Sequence, residues 1–385
     1  MTGPSPQSSQ IRVAYLTNIL APYWKLICEQ LAERYSLCIF LSTPMEKNRP
    51  WEVDWGRLDV LVQRTITLQR RWKHPSGFTE RLHVHLPVDT IAQLRRFRPQ
   101  VIISNEMGLR TLLASVYRKL NPQSRLLVLA EMAESTERGR GRSRGLVRHF
   151  IRNHVDGFLT PGASGARYLD TLGVAPSKIF QIGYTSDVHC LSGVPVSRPA
   201  EAAHRLLYVG QLIERKGLVP FLDALAQWSS HNPQRTLEFV IVGDGPARSR
   251  IAAVRLPANL KVTFRGNMAF SGISAAYESC GIFAFPTFAD TWGVVVNEAM
   301  AAGLPVLGSM YSQAVEELLE EGRNGWSFHP DDPSDTYASL ERALNTPVET
   351  LNQMRVCARQ TALRYTPEFV ATNIDRAIHR VVGRA

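Results

Sequence analysis

Two carboxylates, Asp290 and Glu298, stand with seven residues between them in the stretch PTFADTWGVVVNEAMAAGLPVLGS at 286–309. A Trp-Gly pair lies between the acids, and a small-residue helix and a Gly-Leu-Pro-Val strand follow. This layout puts one carboxylate in a loop over a helix N-terminus and the second inside the helix. Free backbone N–H groups and the macrodipole attract phosphate to such an N-terminus. A carboxylate about a turn further in can accept hydrogen bonds from sugar or ribose hydroxyls. The bland alternative is an Asp that caps the helix and a Glu that is solvated. The small, apolar AMAAG after Glu298 argues against it, because a Glu in such surroundings needs a partner. Trp292 and Gly293 leave the loop both bulky and tight.

Other residues of the second half fit the same chemistry. In VGQLIERKG, a strand runs into a loop that carries Arg215 and Lys216 before Gly217 opens a helix. Two cations at a helix N-terminus oppose its dipole unless an anion sits between them. Alone they read equally as a solvated surface pair; beside the Asp290/Glu298 element the phosphate reading is preferred. VIVGDGP ends a strand in a tight turn at Gly243. It resembles a dinucleotide fingerprint only faintly, since Arg248 stands where the third Gly belongs. FRGN offers Arg265 and Gly266 at another strand end, where a Gly allows close approach of backbone to a ligand.

The elements that must position these groups form two successive αβ series. Short apolar runs at 12–16, 37–41, 64–68, 101–104, 125–130, 157–160 and 179–183 alternate with helical patterns, which predicts a parallel sheet covered on both faces. Residues 185–202 lose periodicity and gain Ser, Pro and Gly, as a linker does. A second series begins at Arg205, and a last helical region runs from about Ser334 to Val382, interrupted by Pro347 and Pro367. The expected fold class is α/β, two doubly wound Rossmann-like domains that face each other across a cleft. Residues 1–190 are expected to form the first half and 200–365 the second. Residues 366–385 form a C-terminal helix that returns to the first domain. Ligands of such sheets bind beyond the C-terminal strand ends.

The 385 residues are 44% hydrophobic and 20% charged, an ordinary globular composition. Five cysteines lie far apart with no CxxC pair, so neither a disulfide framework nor a zinc site is expected, and a reducing cytoplasmic setting fits. MTGPSPQSSQ lacks the basic and apolar regions of a secretory signal, and no apolar run is long enough to span a bilayer. Net charge is lopsided: residues 1–190 hold 26 Lys/Arg against 15 Asp/Glu, and residues 191–385 hold 18 against 19. The first half is therefore expected to meet an anionic partner or surface. Within it, RGRGRSRGLVRHFIRNH at 138–154 carries six arginines and no acid. Such a segment suits anionic lipid head groups at the inner membrane face, a phosphorylated acceptor, or a solvated loop. No nucleic-acid recognition motif or aromatic platform accompanies the charge.

On GQLIERKG, VGDGP and PTFADTWGVVVNEAMAAGLPV, which occur in this order, the second half resembles the donor domain of retaining family 4 (group 1) glycosyltransferases of the GT-B fold. The resemblance implies a glycosyltransferase that moves a sugar from a nucleotide-diphosphate sugar to a glycan, a lipid-linked saccharide or a small molecule with retention of configuration. It implies acceptor binding by residues 1–190, nucleotide-sugar binding by residues 200–365, no cofactor beyond that co-substrate and no metal. Carried over by position, Lys216 binds the diphosphate, Glu298 the ribose and Asp290 the transferred sugar, with Arg215 assisting. Gly210, Gln211, Thr291, Trp292, Gly293 and Val294 join Gly243, Arg265 and Gly266 around the donor. Two positions depart from the family pattern. Asp290 replaces a Glu and is one methylene shorter, and Gln211 replaces an Arg, whose charge Arg215 can supply. In the first half, YLTNILAPYW resembles the family's first cleft loop. Asn18 and Tyr23 are therefore cleft candidates, each with a turn or packing role as the alternative. Glu131 and Glu134 of LAEMAEST follow a strand and are also expected at the cleft. A nucleotide-sugar epimerase of similar fold and a non-catalytic sugar-nucleotide-binding protein are the rival readings.

Overall fold

The computed structural model describes residues 10–46, 54–139, 142–268 and 270–383. Two parallel sheets dominate. The first contains β1 (Arg12–Thr17), β2 (Ser36–Leu41), β3 (Asp59–Val62), β6 (Val101–Asn105), β7 (Arg125–Leu129), β8 (Gly157–Thr160) and β9 (Ile179–Gln181), in the order β3-β2-β1-β6-β7-β8-β9. The chain between β3 and β6 leaves that sheet to form an antiparallel ribbon of β4 (Thr65–Lys73) and β5 (Thr79–Pro87). The second sheet contains β10 (Arg205–Val209), β11 (Leu237–Val242), β12 (Leu260–Gly266), β13 (Ile282–Phe285), β14 (Val306–Ser309) and β15 (Gly325–Phe328), in the order β12-β11-β10-β13-β14-β15. Both orders reverse direction beside their first strand, at β1/β6 and at β10/β13. Crevices for ligands open at these switch points.

The strands are apolar because helices cover both sheet faces. All residues of β13 are buried, as are all but the first of β1. One hydrophobic core runs continuously from Val13 and Ile39 in the first sheet, through Tyr184 and Trp292, to Phe283 and Val296 in the second. The helix Pro367–Val382 completes it with Val370, Ile374 and Ile378. This helix packs on the first domain, where the Tyr35 hydroxyl donates to Asp375 and Arg34 Nη2 donates to Thr372 Oγ1 at 3.3 Å. The two domains thus share a floor beneath their cleft. Among the described residues no helix is long and apolar enough to cross a membrane.

Two expectations of detail need correction. The run at 64–68 does not join the parallel sheet. It continues through the polar residues Gln69–Lys73 and pairs antiparallel with β5, from Thr65↔Pro87 to Lys73↔Thr79. A strand with so many exposed polar residues suits a two-stranded ribbon rather than a covered sheet. The parallel edge is taken instead by β3, which pairs Cys38↔Asp59 through Leu41↔Val62. The segment 185–202 is not a plain linker, since it holds the short helix Val188–Ser192 and a 3-10 turn at Ala200–His204. The C-terminal region does break at Pro347 and Pro367 as expected, into the helices Pro333–Leu344, Val348–Ala362 and Pro367–Val382. Pro333 and Pro367 stand at the N1/N2 positions of theirs, where the missing proline N–H costs nothing.

Candidate active site

The strand ends of both sheets enclose a cavity of about 1040 Å³. Its second-domain wall is built by the loops after β10 and β13. After β10, a 3-10 turn over Glu214–Lys216 presents Arg215 and Lys216, and Gly217 then takes φ 67 to enter the next helix. A Cβ at Gly217 would stand 2.0 Å from the Pro286 carbonyl oxygen, so only glycine lets the two loops meet. The Arg215 carbonyl accepts from Phe288 N at 2.8 Å, which ties the loops together. After β13, Asp290 N donates to the Tyr311 carbonyl at 3.0 Å, and Gly293 turns at φ 104 into the helix Val294–Ala301.

These loops place Asp290 on the two cations. The Lys216 ammonium donates to Asp290 Oδ2, and Arg215 Nη1 lies 3.5 Å from the same oxygen. Lys216 also sits over the Phe285 ring, 4.9 Å from its centroid. Burial alone would raise the Asp290 pKa, but Lys216 and then Arg215 outweigh it and hold the carboxyl below its usual range. One oxygen of the shorter Asp side chain, Oδ2, is therefore engaged by the cation pair. Arg215 is further fixed by the Ala289 carbonyl at 2.5 Å and by an ion pair to Glu80, which β5 brings across from the first domain.

Glu298 lines the cavity from the first turns of the helix Val294–Ala301 and accepts from the Tyr277 hydroxyl at 3.1 Å. Burial pushes its carboxyl up to about 7. Trp292 lines the cavity only in part, for its indole is 2% exposed and belongs to the shared core. Its Nε1 donates to Asn297 Oδ1 at 2.7 Å, and Asn297 Nδ2 donates to the Tyr184 carbonyl at 3.3 Å. This buried chain of hydrogen bonds fixes the start of the helix against the first domain. Thr291, Gly293 and Val294 stand at the cavity beside it, as do Gly210 and Gln211 at the end of β10.

Of the first-domain candidates, Tyr23 and Glu131 reach the cavity. Glu131 accepts from Trp24 Nε1 at 3.2 Å and from the Tyr184 hydroxyl at 3.1 Å. Burial, then the nearby Glu106, raises its carboxyl to about 7. Asn18 and Glu134 do not line it. The Asn18 amide oxygen accepts from Arg110 instead, and Glu134 faces the neighbouring helix, where Arg167 binds it at 2.7 Å. In the second domain, Gly243, Arg265 and Gly266 also lie off the cavity. Gly243 stacks on Gly210 and donates to the Gly266 carbonyl at 2.7 Å, so these two glycines serve strand-end packing. Arg265 is exposed at the end of β12, while Asn267 and Met268 beyond it take the cavity-lining places.

Several cavity residues carry no local sequence signal. The ribbon contributes Trp72, His74, Phe78 and Glu80. His74 and Phe78 stack 4.4 Å apart, and His74 Nε2 donates to the Ser135 carbonyl at 3.0 Å, which holds the tip. Glu106 also lines the cavity and is held at φ 65, a left-handed conformation that a Glu rarely adopts.

The arginine segment divides in the structure. Residues 140–141 lie outside the described residues, and Arg142–Asn153 is a helix. Three of its arginines have partners within the protein: Arg148 binds Glu137 and the Tyr168 hydroxyl, the half-exposed Arg144 lies 3.7 Å from Glu137, and Arg152 donates to the Leu172 carbonyl. Leu146, 78% exposed, and Phe150, 40% exposed, turn outward.

Comparison with known proteins agrees with this geometry. Residues 203–346, which carry the second-domain wall, match the family described as "Glycosyl transferases group 1". Similar curated proteins include a phosphatidyl-myo-inositol mannosyltransferase of Mycobacterium tuberculosis, 33% identical over 184 residues, or 46% of this chain and 47% of that protein. The sulfoquinovosyl transferase SQD2 of Arabidopsis thaliana is 26% identical over 237 residues, or 58% of this chain and 44% of that protein. The chain thus spans about half the length of the curated relatives it matches. Among solved structures, Anabaena HepE in complex with UDP-glucose superposes with a TM-score of 0.68 at 14% identity, covering 96% of this chain and all of that one. Sucrose-phosphate synthase from Thermosynechococcus elongatus gives 0.70 at 15% identity, covering 97% of this chain and all of that one. These likenesses place the whole chain in the GT-B fold.

Proposed function

We propose, for a chain whose residues 203–346 match the group 1 glycosyl transferases, that it moves a sugar from a nucleotide-diphosphate sugar to a glycan, lipid-linked or small hydroxyl acceptor. One observation carries this reading. Lys216, Arg215, Asp290 and Glu298, drawn from two loops and a helix of one domain, converge on a single cavity that the other domain closes. Lys216 and Arg215 take the diphosphate and stabilise the negative charge that builds on it as the glycosidic bond breaks. Glu298 holds the ribose. Asp290 orients Lys216 and reaches the transferred sugar. The acceptor enters from the first-domain side, past Tyr23 and Glu131. The UDP and UDP-glucose complexes of the Anabaena neighbour support a nucleotide sugar as the partner. Retention of configuration belongs to the same reading, and the anomeric coupling of the product checks it.

A thermal-shift panel of nucleotide sugars tests the proposal, since a ligand that binds only the folded chain raises its stability with concentration. At least one nucleotide sugar is expected to raise Tm; a panel that leaves Tm flat at millimolar concentration sinks the proposal. Asp290→Glu is expected to change which donor gives the largest shift, because one methylene alters how far the carboxylate reaches beyond Lys216. An unchanged donor ranking removes Asp290 from the sugar.

A peripheral contact with anionic lipid belongs to this reading as well, through the helix Arg142–Asn153. The outward Leu146 and Phe150 support it more than the arginines do, since three of those are engaged within the protein. The chain should float with anionic vesicles and lose that binding in Leu146→Glu. Failure to float removes the membrane contact.

A further inference from the structure

The ion pair between Glu80 and Arg215 crosses the cleft. Glu80 belongs to β5 of the ribbon and Arg215 to the loop after β10, and each side chain is 22% exposed. Glu80, Arg215, Lys216 and Asp290 all line the cavity. Their charges cancel, two cations against two carboxylates. The carboxylates are not equivalent. Asp290 is anchored in the same domain as the cations by its backbone N–H on Tyr311 and lies against Lys216. Glu80 reaches in from the opposite domain on a ribbon of only two strands. Arg215 is held independently by the Ala289 carbonyl at 2.5 Å, so its guanidinium keeps its place whether or not Glu80 is paired to it.

A diphosphate brings its own negative charge to this cation pair. Glu80 cannot remain on Arg215 beside it without strong like-charge repulsion in a partly desolvated site. We propose that Glu80 is a tethered competitor of the donor's diphosphate: it neutralises Arg215 in the absence of phosphate, yields to an arriving nucleoside diphosphate, and returns to hasten departure of the product. Glu80 is a positioning residue in this scheme, acting through Arg215. The inference rests on the nucleotide-sugar reading of the cavity.

Calorimetric titration of the full chain with UDP, GDP and ADP, and with the three parent nucleosides, tests it. Glu80→Gln keeps shape and removes charge. It is expected to bind the preferred nucleoside diphosphate about tenfold more tightly than wild type, equivalent to about 1.4 kcal/mol, and to show a matching fall in the product-inhibition constant. Nucleoside affinity is expected to stay equal in the two proteins, and Glu80→Asp, which keeps the charge, to return diphosphate affinity toward wild type. Equal or weaker diphosphate binding by Glu80→Gln overturns the inference, as does a matching gain for the nucleosides, which would mark a structural loosening. If wild type and variant both ignore all three diphosphates, the nucleotide-sugar reading itself fails and the role of Glu80 falls with it.

Discussion

Replacing Lys216 with alanine is expected to lower kcat/KM for the donor by roughly 100-fold or more, while Tm falls by only a few degrees. Loss of a preorganised donor aimed at developing charge costs on the order of 3 kcal/mol in a transition state. Lys216 is preorganised in this sense, because Asp290 and the Phe285 ring fix its ammonium before any substrate arrives. The fold depends on it much less. Asp290 keeps Arg215 at 3.5 Å and its backbone bond to Tyr311. Gly217 still starts the following helix with its buried Leu218, Phe221 and Leu222. Leaving Asp290 with one cation instead of two costs roughly 1–3 kcal/mol, which in a chain of this size is a shift of a few degrees. Steady-state kinetics beside a thermal melt separates the two effects. Turnover within a few-fold of wild type would remove Lys216 from the chemistry.

The groups that proved legible in sequence are those whose position follows from a strand end and the turn after it. Lys216 follows β10, Asp290 follows β13, and Glu298 follows the turn at Gly293 by little more than a helical turn. Local spacing is enough to aim such residues at a cleft. Tyr23 and Glu131 obey the same rule in the first sheet. Asn18 and Glu134 also lie near strand ends, but partners distant in sequence redirect them: Arg110 is 92 residues from Asn18 and Arg167 is 33 from Glu134. No window of local pattern contains those partners. Glu80 is the extreme case, 135 residues from Arg215 and on a ribbon whose β4 was read as part of the covered sheet. That the chain forms two parallel, helix-covered sheets was legible because apolar strands alternating with helices leave few other arrangements. The ribbon was not, since its role comes from meeting the other domain.

Two opposed pH dependences should follow from Glu298. Burial raises its carboxyl to about 7, well above the ordinary value of 4.5. A carboxyl raised in the folded state stabilises the fold fully below its unfolded value and loses that contribution as pH rises through the folded one. The shift is worth up to roughly 3 kcal/mol at 1.4 kcal/mol per unit. Glu298→Gln has no proton to lose, so its stability relative to wild type should grow between pH 5 and pH 8, which melts across that range will measure. Nucleotide binding should run the other way. Ribose hydroxyls donate to the ionised carboxylate, so wild-type affinity should rise with pH and level off above 7, with about a tenfold loss for each unit below. In Glu298→Gln the affinity should be weaker throughout and nearly flat. Glu131, raised to about 7 by burial and Glu106, adds to the stability trend. It lies on the acceptor side of the cavity, so Glu131→Gln should reduce the pH dependence of the melts in part and leave that of nucleotide affinity in place. A wild-type nucleotide affinity that does not change between pH 6 and pH 8 would show that Glu298 does not hold the ribose, whatever the melts do.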